Sequence, residues 1–92
     1  MILTLEEAKE YLRVDDEDED GTINTIMKSA EDFIAQIARR PIEELSAENI
    51  DTVKIAALFA TAYLYEHRED ANHNTLTLTL RSLLFGIRKE AF

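Results

Sequence analysis

The chain has no cysteine and no tryptophan, and only one proline and two glycines in 92 residues. Without cysteine it can form neither disulfides nor thiolate metal sites, and a reducing compartment is compatible with it. With so little proline and glycine, the punctuation of a turn-rich β fold is missing and long helices are favoured. Cations are scarce too: ten Lys and Arg against nineteen Asp and Glu leave a net charge of −9. Nucleic-acid binding is driven by cations that neutralise phosphates, so this balance argues against a direct grip on DNA. No basic segment leading into an apolar stretch opens the chain, so no secretory signal is visible. The longest uncharged run, Ile55 to Tyr65, has eleven residues, well short of the ~20 needed to span a bilayer. A soluble protein, intracellular where it is made, is the expectation.

What is present is a hydrophobic content of 46% alongside 32% charged residues, the mixture of a globular chain rather than a disordered one. Residues 1–92 are expected to form a single domain. A chain this small buries only about 60–65% of its unfolded surface, so a partner or sister copies would add needed stability.

The helical pattern is clear from the start. Thr4 is placed to cap a helix from about Leu5 to Leu12, with Glu7 reaching back to complete a capping box. Leu5, Ala8 and Leu12 share one face. An acidic linker follows, whose carboxylates suit the positive N-terminal end of the next helix. That helix, roughly Glu19 to Arg39, carries Ile23, Ile26, Met27, Ala30, Phe33, Ile34, Ile37 and Ala38 at i, i+3, i+4, i+7 spacing. Arg39 and Arg40 suit its negative end, and Pro41 stops it.

A third helix is expected from Ala47 to Glu69, with Ser46 as N-cap. It has two apolar stripes: Ile50, Val53, Ala57, Ala60 and Leu64, then Ile55, Leu58, Phe59, Ala62 and Tyr63. Two stripes mean burial on more than one side, so this is the central helix, and some of that surface points to a neighbouring subunit. The segment Leu76-Thr77-Leu78-Thr79-Leu80 alternates with period two. It reads either as an extended lead-in able to add to a sheet edge or as the first turn of a fourth helix from about Thr77. The helical reading is preferred. The fold class is therefore all-α, a small bundle of about four helices with a long central helix.

Three constellations bear on chemistry. Counting Asp16 as position one of a calcium loop, acids fall at one, three and five and Gly21 at six. Position twelve, which should supply a bidentate Glu, is Met27. The acidic run is accordingly read as a solvated linker that caps the second helix. His67 and His73 lack the i, i+4 spacing of a helical metal pair. There is no Cys nucleophile, no placeable Ser-His-Asp set and no Gly-rich phosphate loop. No catalytic residue, cofactor or metal site is expected. The apolar excess of the last two helices is the better candidate for function, as a subunit or partner interface at Phe59, Tyr63, Leu76, Leu78, Leu80, Leu84, Phe85 and Ile87.

The order of these segments carries a resemblance. It consists of the opening from Leu3 to Arg13, the Asp/Glu-rich linker, the helix around Ile26-Met27-Lys28-Ser29-Ala30-Glu31-Asp32-Phe33-Ile34, the long segment from Ile55 to Glu69 ending Tyr65-Glu66-His67-Arg68-Glu69, and the terminal Arg81-Ser82-Leu83-Leu84-Phe85-Gly86-Ile87-Arg88. In that order and spacing the chain resembles the small head–tail connector (adaptor, DNA-packaging) proteins of tailed bacteriophages. It departs from them after the second helix, where Ala38-Arg39-Arg40-Pro41 stands in place of the Thr-Gly-Arg of many relatives. The resemblance implies a structural subunit that forms a ring, of about a dozen copies, beneath the portal of a filled capsid. There it would extend the DNA channel and offer a platform to stopper or tail proteins. DNA would pass without specific binding, no membrane would be involved, and the protein would sit in the virion after assembly in the bacterial cytoplasm. A small calcium-binding or protein-binding regulatory module is the alternative.

Overall fold

The computed structural model describes residues 2–67 and 73–85. Among them are four helices and no strand: α1 (Leu5–Leu12), α2 (Asp20–Ala38), α3 (Ile42–Glu66) and α4 (Asn74–Leu84). α1 forms where its cap dictates. The Glu7 N–H donates to Thr4 Oγ1 at 3.1 Å and the Thr4 N–H donates to Glu7 Oε1 at 2.9 Å. It ends at Arg13, whose φ of 61° is left-handed, and the Val14 N–H closes back to the Lys9 carbonyl at 2.9 Å. α2 ends in the same way, with Arg39 at φ 58° and the Arg40 N–H reaching the Ala35 carbonyl. α2 thus spans the expected segment to within a residue at each end, with Ile23, Met27, Ala30, Ile34 and Ala38 fully buried.

α3 begins earlier than the pattern suggested. Helix starts at Ile42 rather than Ala47, because the Pro41 carbonyl accepts the N–H groups of both Glu44 and Leu45 at 3.1 Å and Leu45 drops into the core with no exposure. Ser46 is therefore inside the helix, its hydroxyl donating to the Glu43 carbonyl, and not an N-cap. Asn49 interrupts the run with φ −141° and ψ 48°, so a short entry helix and a long second segment meet there at a kink. The helix closes at Glu66, and the expected continuation to Glu69 falls outside the described residues.

Tyr65, near the end of α3, donates its hydroxyl to Glu19 at the start of α2 across 2.7 Å, so α2 and α3 run antiparallel. Their seam is rich in alanine: Ala30 and Ala38 on α2, and Ala56, Ala57 and Ala60 on α3, are all buried. Small side chains let two helix backbones approach closely, and Ile23, Met27, Ile34 and Val53 fill what remains. α1 and α4 each pack on this pair, with no close backbone approach to one another among the described residues.

α4 resolves the ambiguity over residues 76–80. Leu76, Leu80 and Leu84 recur every four residues and are completely buried, whereas Leu78 is 64% exposed. The period-two alternation is a consequence of threonines lying between leucines; the leucines that count are those on one helical face. The extended reading of this segment is thereby overturned. The body measures 45 × 28 × 16 Å between its Cα extremes. Against a helix diameter of about 10–12 Å, a 16 Å thickness holds barely two layers, and a helix with two apolar stripes cannot hide both.

Candidate assembly interface

α3 shows the consequence. Its inward stripe (Val53, Ala56, Ala57, Ala60 and Thr61) is buried, while the second stripe faces out: Ile55 is 58% exposed, and Leu58, Phe59, Ala62 and Tyr63 are only half-buried. Between this stripe and the end of α1 runs a groove of about 440 Å³ lined by Tyr11, Leu12, Arg13, Phe59, Ala62, Tyr63 and Glu66. Tyr11 stands on its α1 wall, 53% exposed. Continuous with it, Glu7, Glu10, Tyr11, Arg13 and Leu58 line a second depression.

The walls of the groove are held in place electrostatically. The Lys54 ammonium on α3 donates to Glu7 Oε2 on α1 at 2.8 Å, and Lys9 pairs with Asp20 at the start of α2 at 2.7 Å. The hydrogen bond from Lys54, with help from the Thr4 N–H, holds the Glu7 carboxyl below its ordinary range. The bond to Asp20 holds the Lys9 ammonium above its own. At the far end, Tyr63 joins the groove to the α4 entry. Its ring stacks on His67 at 4.1 Å between centroids, and His73 meets both Tyr63 and Phe33 edge-on. The His67 Nδ1–H donates to the Tyr63 carbonyl at 2.9 Å, which fixes that stack. The two histidines are therefore part of an aromatic joint.

The acidic linker is likewise built into the fold. Glu19 accepts the Tyr65 hydroxyl, Asp20 pairs with Lys9, and Asp16 accepts the Asp18 N–H in a local turn. Met27, where a calcium loop would need a carboxylate, is a core residue with 2% exposure.

A family model describes this arrangement of segments: that of the phage gp6-like head-tail connector proteins, which matches residues 2–91. The chain belongs to this family. Neither the search of curated proteins nor the search of solved structures found a match. As a member of a head–tail connector family it is a structural phage protein, a component of the virion that associates with other head and tail components. No helix among the described residues is long and apolar enough to cross a membrane.

The candidate interface residues separate into three groups in this connector. Leu76, Leu80 and Leu84 are consumed by the protomer's own core, which corrects their assignment to a contact surface: every four-residue step of α4 points them at α2 and α3. Phe59 and Tyr63 line the groove, and Leu78 and Phe85 project from α4 at 64% and 77% exposure. Ile87 lies outside the described residues. Four exposed apolar residues, Tyr11, Ile50, Ile55 and Leu83, were missing from the candidates. Ile55 belongs to the second stripe of α3 and was legible there, whereas Tyr11 stands one position off the Leu5, Ala8 and Leu12 face and drew no attention.

Proposed function

We propose that the protein is a ring-forming connector subunit that docks beneath the phage portal, lengthens the DNA channel and presents a platform for stopper or tail proteins. The observation that carries this reading is the outward stripe of α3, a run of apolar residues that the protomer leaves uncovered in a member of a connector family. Apolar surface of that kind gains free energy when sister copies cover it, at about 25 cal/mol per Å² removed from water. By family resemblance the ring holds about a dozen copies, assembled in the host cytoplasm before the subunit becomes part of the virion. Its work is mechanical and interfacial, with no bond made or broken. The net charge of −9 suits a channel wall, since carboxylates repel phosphates and let DNA slide rather than adhere.

The test is particle size. Sedimentation and electron microscopy of the purified chain, alone and with the portal protein of its phage, should reveal higher oligomers of ring shape. A chain that remains monomeric at every concentration and with portal present would overturn the reading. A saturable calcium-dependent change in helicity in that monomer would instead favour a regulatory module.

A further inference from the structure

Most of the exposed apolar surface lies on two different faces, Ile50 standing apart near the start of α3. One is the α1–α3 groove with Tyr11 and Phe59, and Ile55 one helical turn before Phe59 on the same stripe; the other is the outer face of α4, where Leu78 and Phe85 project. Because α1 and α4 pack on the α2–α3 pair without approaching each other, neither face covers the other within one protomer. Two distinct apolar faces on one chain meet the requirement of a heterologous contact, in which one face of each copy meets the other face of the next until the rotation closes.

Charge selects the same pairing. Residues 73–85 contain no Asp or Glu, and exposed Arg81 is their one formal charge. The groove rim carries the exposed carboxylates of Glu10 and Glu66 and one exposed cation, Arg13, so acids outnumber cations there. In a chain of net charge −9, groove against groove would set these acids against their own kind, at a cost that disfavours the wrong partner. α4 is the acid-free helix of the four, so it can enter an acid-rimmed apolar groove and bring a cation with it.

We propose that the outer face of α4 of one copy seats in the α1–α3 groove of the next, with Leu78 and Phe85 against the groove aromatics and Arg81 toward its acidic rim. This rests on the ring-forming reading above and adds which two faces meet.

The absence of cysteine makes the test clean. Leu78→Cys and Ile55→Cys are prepared separately, both at exposed positions, then mixed under assembling conditions (high concentration, or portal added) and treated with a short bis-maleimide. The mixed sample should give crosslinked chains at least ~10-fold above either variant alone, because a heterologous contact brings unlike positions together. Arg81→Glu should weaken association ~10-fold or more, and Glu66→Arg on the same chain should recover most of that loss. An assembled sample whose crosslinks join Leu78→Cys to itself, or Ile55→Cys to itself, overturns the pairing while leaving ring formation standing. So does an assembled sample with no crosslink. A chain that never assembles overturns both.

Discussion

Lys54 on α3 and Glu7 on α1 meet at 2.8 Å, and Glu7 is at the same time the residue that completes the α1 capping box with Thr4. One carboxylate therefore both starts α1 and fixes it against α3, which sets the width of the groove. Because Lys54 and the Thr4 N–H hold the folded-state pKa of Glu7 below its ordinary value of about 4.5, the unfolded chain binds this proton more readily. The stabilisation is then complete above about pH 4.5 and is lost as pH falls through the lower folded value. Glu7→Gln keeps a side chain able to cap but removes the charge. Melting temperatures across the acid range should fall less steeply with decreasing pH in Glu7→Gln than in the wild type, while at neutral pH the variant melts lower. An unchanged acid slope would show that the pair does not couple α1 to the body.

Thr61 on α3 is buried to 1%, and its hydroxyl oxygen has no hydrogen-bond partner among the described residues. Burying an unpaired hydroxyl costs about 1–3 kcal/mol, and valine has nearly the same shape without that oxygen. Thr61→Val should raise the unfolding free energy by about 1 kcal/mol, read as a higher urea midpoint with an unchanged slope. Thr61→Ser, which keeps the hydroxyl and loses a methyl, should move the midpoint the other way.

The leucines of α4 have opposite fates although they alternate in sequence. Leu80 is entirely buried and Leu78 is 64% exposed. Leu80→Ala should cost about 2–5 kcal/mol of stability through lost transfer energy and a residual cavity, and Leu84→Asp should prevent folding by burying an unpaired carboxylate. Leu78→Ala should leave the stability of the protomer within about 0.5 kcal/mol. Denaturant unfolding of dilute protein, where association does not contribute, separates the two positions. Equal losses at 78 and 80 would mean that the helical register is wrong.

How much of this was legible beforehand depends on whether local or tertiary effects decided the outcome. The α1 cap and the α2 stripe were readable because side-chain identity and periodicity agree there: Thr4 with Glu7, and Ile23 through Ala38 at helical spacing. The start of α3 was misplaced because Ser46 carries the local signature of an N-cap, yet burial of Leu45 outweighs it and draws the helix back to Pro41. The double stripe of α3 correctly signalled more apolar surface than one protomer hides. Which α4 leucines are surface was not legible, since period two and period four both fit Leu76, Leu78 and Leu80 until α2 and α3 are in place. Tyr11 escaped notice for a similar reason. Its exposure is set by how far α3 stands from the end of α1, a distance that no local pattern encodes.

Arg39 offers the last test, because the backbone there demands what its side chain disfavours. Its φ of 58° lies in the left-handed region, which positions the Arg40 N–H to bond the Ala35 carbonyl and so ends α2. A residue with a Cβ costs roughly 1–2 kcal/mol in that conformation, and glycine avoids it while losing more backbone freedom on folding. The balance at a helix C-terminus favours glycine. Arg39 itself is exposed, whereas the adjacent Arg40 holds the loop to α3 through Glu44 and Glu48. Arg39→Gly should therefore stabilise the protomer by about 0.5–1 kcal/mol, whereas Arg39→Val, β-branched and unable to adopt the turn without strain, should destabilise it. Arg13, at φ 61°, has the same backbone geometry but also lines the groove. Arg13→Gly should raise the melting temperature of the isolated protomer and, by taking from the groove rim the one cation that opposes Arg81, should tighten association; weaker association would show that Arg13 makes a favourable contact of its own.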